Sequence, residues 1–145
     1  MTTATGPAKV SPSPVLLGLV VAGGALGVLV RASLLVPVDD PAALAWTTAA
    51  INALGSLLLG IVVGWLDGRH PRARAFLGTG VLGGFTTYSA FAVQTVTASA
   101  TGLWVAAGLV AASVSAGLLG GIVGLFIGRR IADVPGEIEP PESAE

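Results

Sequence analysis

Four apolar segments dominate this sequence of 145 residues, and their length limits the possible folds more than any other feature. Each approaches or exceeds the roughly 20 residues that a helix needs to cross the hydrocarbon core of a bilayer. Only 10% of the residues are charged, whereas ordinary soluble domains carry about 25%. The sequence therefore predicts an all-α membrane protein with four transmembrane helices, at roughly residues 15–35, 44–66, 75–98 and 103–131.

The four segments form one predicted transmembrane domain over residues 15–131. Residues 1–14 are polar and rich in proline, and the tail of residues 132–145 is acidic and rich in proline. Segments of this composition bury too little apolar surface to fold, so we expect both ends to be disordered. Because the links between the apolar segments are short, we expect consecutive helices to be antiparallel neighbours in a compact bundle.

Lysine and arginine are distributed unevenly between the two ends of the predicted helices. The first span carries Arg31 near its end, and no other basic residue falls on that side. Basic residues are enriched in cytoplasmic loops, so we predict a multi-pass protein of the plasma membrane with both termini in the cytoplasm. The predicted cytoplasmic side carries Lys9, Arg69, Arg72, Arg74, Arg129 and Arg130.

The ionisable residues exclude several classes of function. The chain has no cysteine, and its one histidine, His70, lies in a charged link, so no base is available to activate a serine inside the membrane. The net charge of −1 argues against nucleic acid as a partner. A proton-coupled exporter needs a carboxylate within the membrane, but all acidic residues lie in links or the tail: Asp39, Asp40, Asp67, Asp133, Glu137, Glu139, Glu142 and Glu145. The sequence therefore predicts that the protein is not an enzyme, and the remaining classes of function are a channel and an accessory structural subunit.

The second and fourth segments carry small residues at helical spacing. Asn52, Ser56, Gly60 and Gly64 recur every four residues and share one helix face. That stripe fits helix packing, and it also fits an amide that donates hydrogen bonds to a passing anion. In the fourth segment, we predict that small residues form packing ridges: Gly120, Gly124 and Gly128, with Gly117 and Gly121 beside them.

Two further polar residues near or within the membrane also allow two interpretations. Arg31 either extends its side chain to the interface or draws an anion towards a pore mouth. Ser113 either donates a hydrogen bond between helices or lines a path through the protein.

The third segment contains the stretch "GGFTTYSAF", Gly83–Phe91, which is poor material for a helix that faces lipid. Two adjacent glycines predict a helix break, and a break at this depth persists only where it is buried or lines a cavity. Its carbonyl groups could hold a small cation. Tyr88 and Phe91 share one side of the resumed helix and could present the positive edges of their rings to an anion. A kinked packing helix with aromatic residues in the core is the alternative. The hydroxyl side chains of this stretch are Thr86, Thr87 and Ser89.

Three motifs in succession resemble the small fluoride channels known as the Fluc or CrcB family. The first segment, "GGALGVLVR", carries a Gly-Gly…Gly…Arg pattern, and "NALGS" in the second carries Asn-x-x-Gly-Ser. The third, "GTGVLGGFTTYSAF", is similar to the family motif Gly-Gly-x-Thr-Thr-Phe-Ser-Thr-Phe. The resemblance covers all four segments, about residues 15–130, in the same order.

The resemblance implies a passive channel that exports fluoride and is built as an antiparallel dimer of dual topology with two pores. Backbone carbonyls at Gly83 and Thr86 would hold a structural sodium ion (Na+) at the dimer axis. The residues of the fluoride pore would be Asn52, Thr87, Tyr88, Ser89, Phe91, Ser113 and Arg31.

Four positions depart from the family pattern, and each lies where a ring or a polar group is expected to face fluoride. Tyr88 replaces a Phe, Ala90 a Thr, Gln94 a Glu and Leu109 a Tyr. A homodimer of antiparallel copies also requires balanced basic residues, which this chain lacks. A heterodimer with a paralogue of opposite topology, in which one pore is weak, is therefore a hypothesis beside the homodimer. The alternative function is an accessory subunit whose partner carries the conducting pore.

Overall fold

The computed structural model describes residues 13–66, 69–100 and 102–132, which are helical apart from short links. The predictions made for residues 1–12 and 133–145, including the disorder of both ends, lie outside the described residues. Within the described residues, the transmembrane region begins at Pro14 and ends at Ala132.

All four predicted membrane segments are helical. Helix α1 spans Pro14–Leu35 and helix α2 spans Pro41–Leu66. The third segment is divided into α3, residues 71–85, and α4, Tyr88–Ser99. Helix α5 spans Leu103–Ala132. The four segments, with α3 and α4 counted together, are long and apolar enough to cross a membrane. The prediction of an all-α, multi-pass membrane protein is thereby confirmed.

The starts of the helices follow from local sequence. Pro14, Pro41 and Pro71 each occupy the first position of a helix, where proline has the right φ and its missing N–H costs nothing. Ahead of α2, the carboxylate of Asp40 accepts a hydrogen bond from the backbone N–H of Ala43 at 2.7 Å. This bond satisfies one of the N–H groups that a helix leaves open at its start.

Helix α1 packs lengthwise against α3, and glycine makes the close approach possible. Gly23 lies against Gly80, and Gly27 lies against Val81 and Phe85. A Cβ atom at either glycine would overlap the α3 backbone. The contacts advance in the same direction along both helices, so α1 and α3 are parallel.

Helix α2 packs against α5 in the same manner. Gly60 contacts the backbone around Gly121–Leu125, while Gly124 and Gly128 contact the α2 backbone at Leu57 and Ile61. These contacts confirm the predicted packing ridge on the last helix. The tight pairs are thus parallel helices two spans apart, α1 with α3 and α2 with α5. The expectation that consecutive helices would be the close neighbours is wrong for α1 and α2, which barely touch.

Helix α3 is irregular before it ends. Residues Ala75–Leu82 form a π-helical stretch, and one short turn, Gly83–Phe85, follows. Wide turns of this kind are rare and often occur near functional sites. The π-helical stretch brings the chain to the break between α3 and α4.

Candidate functional site

The third membrane segment is interrupted at Thr86 and Thr87. Thr86 has φ −83° and ψ 155°, and Thr87 has φ −149° and ψ 120°, so both are extended. The last helical bond of α3 runs from the N–H of Thr86 to the carbonyl of Leu82 at 3.1 Å. The hydroxyl oxygen of Thr87 accepts a bond from the N–H of Ala90 at 3.3 Å and so caps α4. The predicted helix break near Gly83–Thr87 is confirmed.

The side chain of Asn52 holds the extended peptide from α2. Its Nδ2 donates to the carbonyl oxygen of Thr87 at 3.0 Å, and its Oδ1 accepts from the N–H of Thr87 at 2.9 Å. An amide nitrogen carries two hydrogens, so one Nδ2–H remains for another acceptor. Asn52 therefore fixes the break and keeps one donor beside it.

Four carbonyl groups at the break, those of Gly83, Gly84, Phe85 and Thr86, lose the donors that an unbroken helix would supply. The donor for the carbonyl of Gly83 would be the N–H of Thr87, which bonds Asn52 instead. The donor for the carbonyl of Thr86 would be the N–H of Ala90, which bonds the Thr87 hydroxyl. The two carbonyls named in the sequence-based prediction are thus without helical donors, as is that of Phe85, while that of Gly84 accepts a bond from Arg31.

Arg31 reaches the break from α1. Its Nε donates to the carbonyl oxygen of Gly84 at 3.3 Å, and its side chain is half-buried. The approach of α1 depends on Gly84, because a Cβ atom there would overlap the backbone of Gly24. Arg31 thus contacts the helical turn that leads into the break.

The motif of α2 also shapes the break through packing. A Cβ atom at Gly55 would overlap the methyl group of Thr86 and approach the ring of Phe85 at 3.4 Å. The glycine one turn after Asn52 therefore makes room for the chain that Asn52 binds. Asn52 thus binds the broken segment by hydrogen bonds, and Gly55 leaves the space that the segment occupies.

A cavity of about 590 Å³ opens beside the break. Of the predicted pore residues, it is lined by Asn52, Thr87 and Tyr88, and both predicted cation-binding residues, Gly83 and Thr86, also line it. Tyr88 is 83% exposed in the single chain, so its ring is available at the cavity surface. The remaining lining residues are Gly55, Ser56, Leu59, Val63, Arg74, Gly78, Thr79 and Leu82.

Among the described residues, four predicted pore residues do not line this cavity: Arg31, which bonds the Gly84 carbonyl, and Ser89, Phe91 and Ser113. Ser89 is exposed, and its hydroxyl lies 3.3 Å from that of Thr87. Phe91 is half-buried and packs on a cluster that includes Leu109. The hydroxyl of Ser113 is buried and has no hydrogen-bond partner among the described residues.

Leu109 belongs to a buried apolar cluster separate from the cavity. Leu109 is only 2% exposed and packs with Ala45 and Ala49 of α2. Thr48 and Gln94, like Ser113, each have a buried side-chain oxygen with no partner among the described residues. Buried polar atoms are nearly always hydrogen-bonded, so these three unsatisfied oxygens, one on each of the helices α2, α4 and α5, are unusual.

Thr48 and Arg74 are two residues whose position the sequence analysis did not identify. Thr48 is fully buried and lies one turn before Asn52. The stripe of small and polar residues in α2 could have been extended back by four residues to include it. Arg74 lines the cavity, although its charge was considered only for orientation.

The fold and the site define a class of multi-pass membrane proteins whose third segment breaks beside a cavity with both polar and apolar lining residues. The model of the CrcB family, described as CrcB-like protein, Camphor Resistance, matches residues 18–127. The chain belongs to this family.

Curated relatives cover most of the chain. "Fluoride-specific ion channel FluC" of Hyphomonas neptunium is 43% identical over 120 residues, which is 78% of this chain and 94% of the relative. The protein of the same name from Novosphingobium aromaticivorans is 42% identical over 115 residues, 75% of this chain and 89% of the relative. "Fluoride-specific ion channel FluC 2" of Bacillus subtilis is 43% identical over 117 residues, 77% of this chain and 86% of the relative.

Proposed function

We propose that this chain is a subunit of a passive, fluoride-selective channel that exports fluoride and so relieves its toxicity. The observation that carries the proposal is the broken third segment, which Asn52 holds by two hydrogen bonds beside a cavity that Asn52 and Thr87 line. Names of the relatives support the choice of fluoride. No energy source is required, because the ion follows its electrochemical gradient.

Fluoride is small and strongly hydrated, so fixed donors must replace its water as it leaves solution. In the cavity, the second Nδ2–H of Asn52 is one such donor. The hydroxyl of Thr87 and the positive ring edge of Tyr88 would supply further contacts there, and the hydroxyl of Ser89, next to that of Thr87, another beside the cavity. Arg31 contributes a positive charge near the break while it holds the Gly84 carbonyl.

Beyond the break, the proposed path follows the buried hydroxyls between α2 and α5. Thr48 precedes Asn52 by one turn on α2, and Ser113 follows Leu109 by one turn on α5. The unpaired oxygens of Thr48 and Ser113 belong to O–H groups that can donate to an anion. Phe91 contacts the cluster around Leu109, where its ring edge would face the same path.

A sodium ion at the break is a further part of the proposal. The carbonyl oxygens of Gly83 and Thr86 fit such a cation, because their helical donors bond elsewhere. Carbonyl oxygens are the ligands that alkali cations take in membrane proteins. The positive charge of the bound ion would attract these carbonyl oxygens and so stabilise the broken segment.

We also propose that the working channel is a dimer of oppositely oriented subunits. The exposed ring of Tyr88 and the cavity beside it lie on a face that a second subunit could cover. Some relatives carry the numbered names FluC 1 and FluC 2, which supports a paralogue as the partner. The excess of basic residues at one end supports a single orientation, with both termini in the cytoplasm.

Fluoride efflux from liposomes tests the proposal. The purified chain is reconstituted alone and together with its paralogue, and efflux is recorded with a fluoride electrode. Efflux from the chain alone would establish a homodimer and contradict the heterodimer. Efflux only with the paralogue would support the heterodimer, provided that pore variants of this chain reduce it. If those variants have no effect, the chain is the accessory subunit and the partner carries the pore.

A further inference from the structure

We propose that Arg74 is the residue that draws fluoride into the cavity at the break, an inference that rests on the proposed function. Arg74 ends the first turn of α3 and is exposed to solvent. Its side chain lines the same cavity as Asn52, Thr87 and Tyr88. The cavity therefore connects a charged helix end with the donors at the break.

Arg74 is the only charged residue that lines this cavity among the described residues. No carboxylate lines it to cancel the field of the guanidinium. A positive charge in a groove with low-dielectric walls raises the local concentration of anions. Fluoride should therefore accumulate at this opening before it loses its water at Asn52.

The distance from Arg74 to the break determines how strongly salt should screen the effect of its charge on fluoride in the cavity. Twelve residues of helix separate Arg74 from Thr86, which is at most about 18 Å along the axis. The Debye length is about 30 Å at ~10 mM salt and about 3 Å at ~1 M. The field of Arg74 thus covers the whole cavity in dilute salt and almost none of it in concentrated salt.

Arg72 provides the matched control. It lies in the same helical turn, is also exposed, and is not among the residues that line the cavity. A residue two positions away on a helix faces a different side. Arg72→Gln removes the same charge from the same end of the protein and leaves the cavity unchanged.

The experiment measures fluoride efflux from liposomes at ~10 mM and at ~1 M of a salt with an impermeant anion, with sucrose to balance osmolarity. Arg74→Gln should reduce efflux roughly two- to threefold in dilute salt and leave it unchanged in concentrated salt. Arg74→Lys and Arg72→Gln should both match the wild-type chain in dilute salt.

Three results would overturn the inference while the wild-type chain conducts. Arg74→Gln could match the wild type in dilute salt, it could lose the same fraction at both salt concentrations, or Arg72→Gln could lose as much. The second result would indicate a structural role and the third a general surface charge. If the wild-type chain conducts under none of these conditions, with or without its paralogue, the proposed channel itself is overturned, and this inference with it.

Discussion

Asn52 of α2 and Thr87 of the broken third segment are joined by two hydrogen bonds, one through each polar atom of the amide, at 3.0 and 2.9 Å. The two residues are 35 positions apart in sequence. The bridge satisfies both the N–H and the carbonyl of a peptide that no helix supports. The same side chain that fixes the break thus keeps a donor for an anion.

The first prediction concerns Asn52→Asp. The carboxylate would keep the acceptor for the N–H of Thr87 but lose the donor to its carbonyl, and it would place a negative charge in the anion path. We expect fluoride efflux to be abolished. Thr97→Ala, an exposed change in α4, serves as the control and should conduct normally. Wild-type efflux from Asn52→Asp would remove Asn52 from the pore.

The second prediction separates function from stability at Thr48. Its hydroxyl is fully buried without a partner among the described residues, and such a group typically costs about 1–3 kcal/mol. Thr48→Val keeps the shape and removes the hydroxyl. We expect the thermal unfolding midpoint in detergent to stay the same or rise while fluoride efflux falls at least several-fold.

Thr97→Val is the matched control for that measurement, because the hydroxyl of Thr97 bonds the carbonyl of Val93 at 3.1 Å on an exposed face. It should change neither efflux nor the midpoint appreciably. A Thr48→Val protein that is less stable and conducts normally would show that the hydroxyl serves packing and not the path.

The third prediction concerns the ring of Phe91. Phe91 packs on the cluster of Ala45, Ala49 and Leu109. Phe91→Ile keeps the apolar contact but removes the aromatic ring edge. We therefore expect fluoride efflux to stop. The variant should elute from a size-exclusion column at the same volume as the wild-type protein. Conduction through Phe91→Ile would contradict the ring-edge mechanism.

The fourth prediction compares two glycines of α5. A Cβ atom at Gly124 would overlap the carbonyl oxygen of Leu57, whereas one at Gly108 would meet no atom within 4 Å. Gly124→Ala should therefore cost about 1–3 kcal/mol through overpacking and lower the thermal unfolding midpoint. Gly108→Ala should be neutral or stabilising by up to about 1 kcal/mol, because alanine favours the helix. Equal midpoints for the two variants would refute the packing of α2 on α5.

Much of the fold could be predicted from the sequence, because membrane-spanning helices are recognisable by their length and apolar composition. The four segments were predictable for that reason, and the paired glycines predicted a break that lies just after them, at Thr86 and Thr87. The Asn52–Thr87 bridge was not, since a stripe of small and polar residues marks a helix face without naming its partner. The pairing of alternate helices was also missed, because short links bring consecutive helices near one another but do not determine which faces pack.

Residue-level roles were harder to predict where a side chain serves two purposes. Arg31 is close enough to the end of α1 to suggest an interfacial anchor, yet it bonds the Gly84 carbonyl at 3.3 Å. Thr48 has no charge and no motif to draw attention, and only its burial without a partner distinguishes it. The contact of Arg31 and the burial of Thr48 both depend on which helices pack together, and the pattern of a single sequence does not specify that packing.

The pairing of α1 with α3 has a consequence for how the protein is made. Gly27, the last glycine of α1 that packs on α3, is synthesised about 60 residues before α3 ends at Phe85, which corresponds to about 3 to 12 s of translation. During that interval α2 offers α1 almost no contact. We therefore expect the first two helices to leave the ribosome with little contact between them, and the bundle to assemble only after α3 has been made.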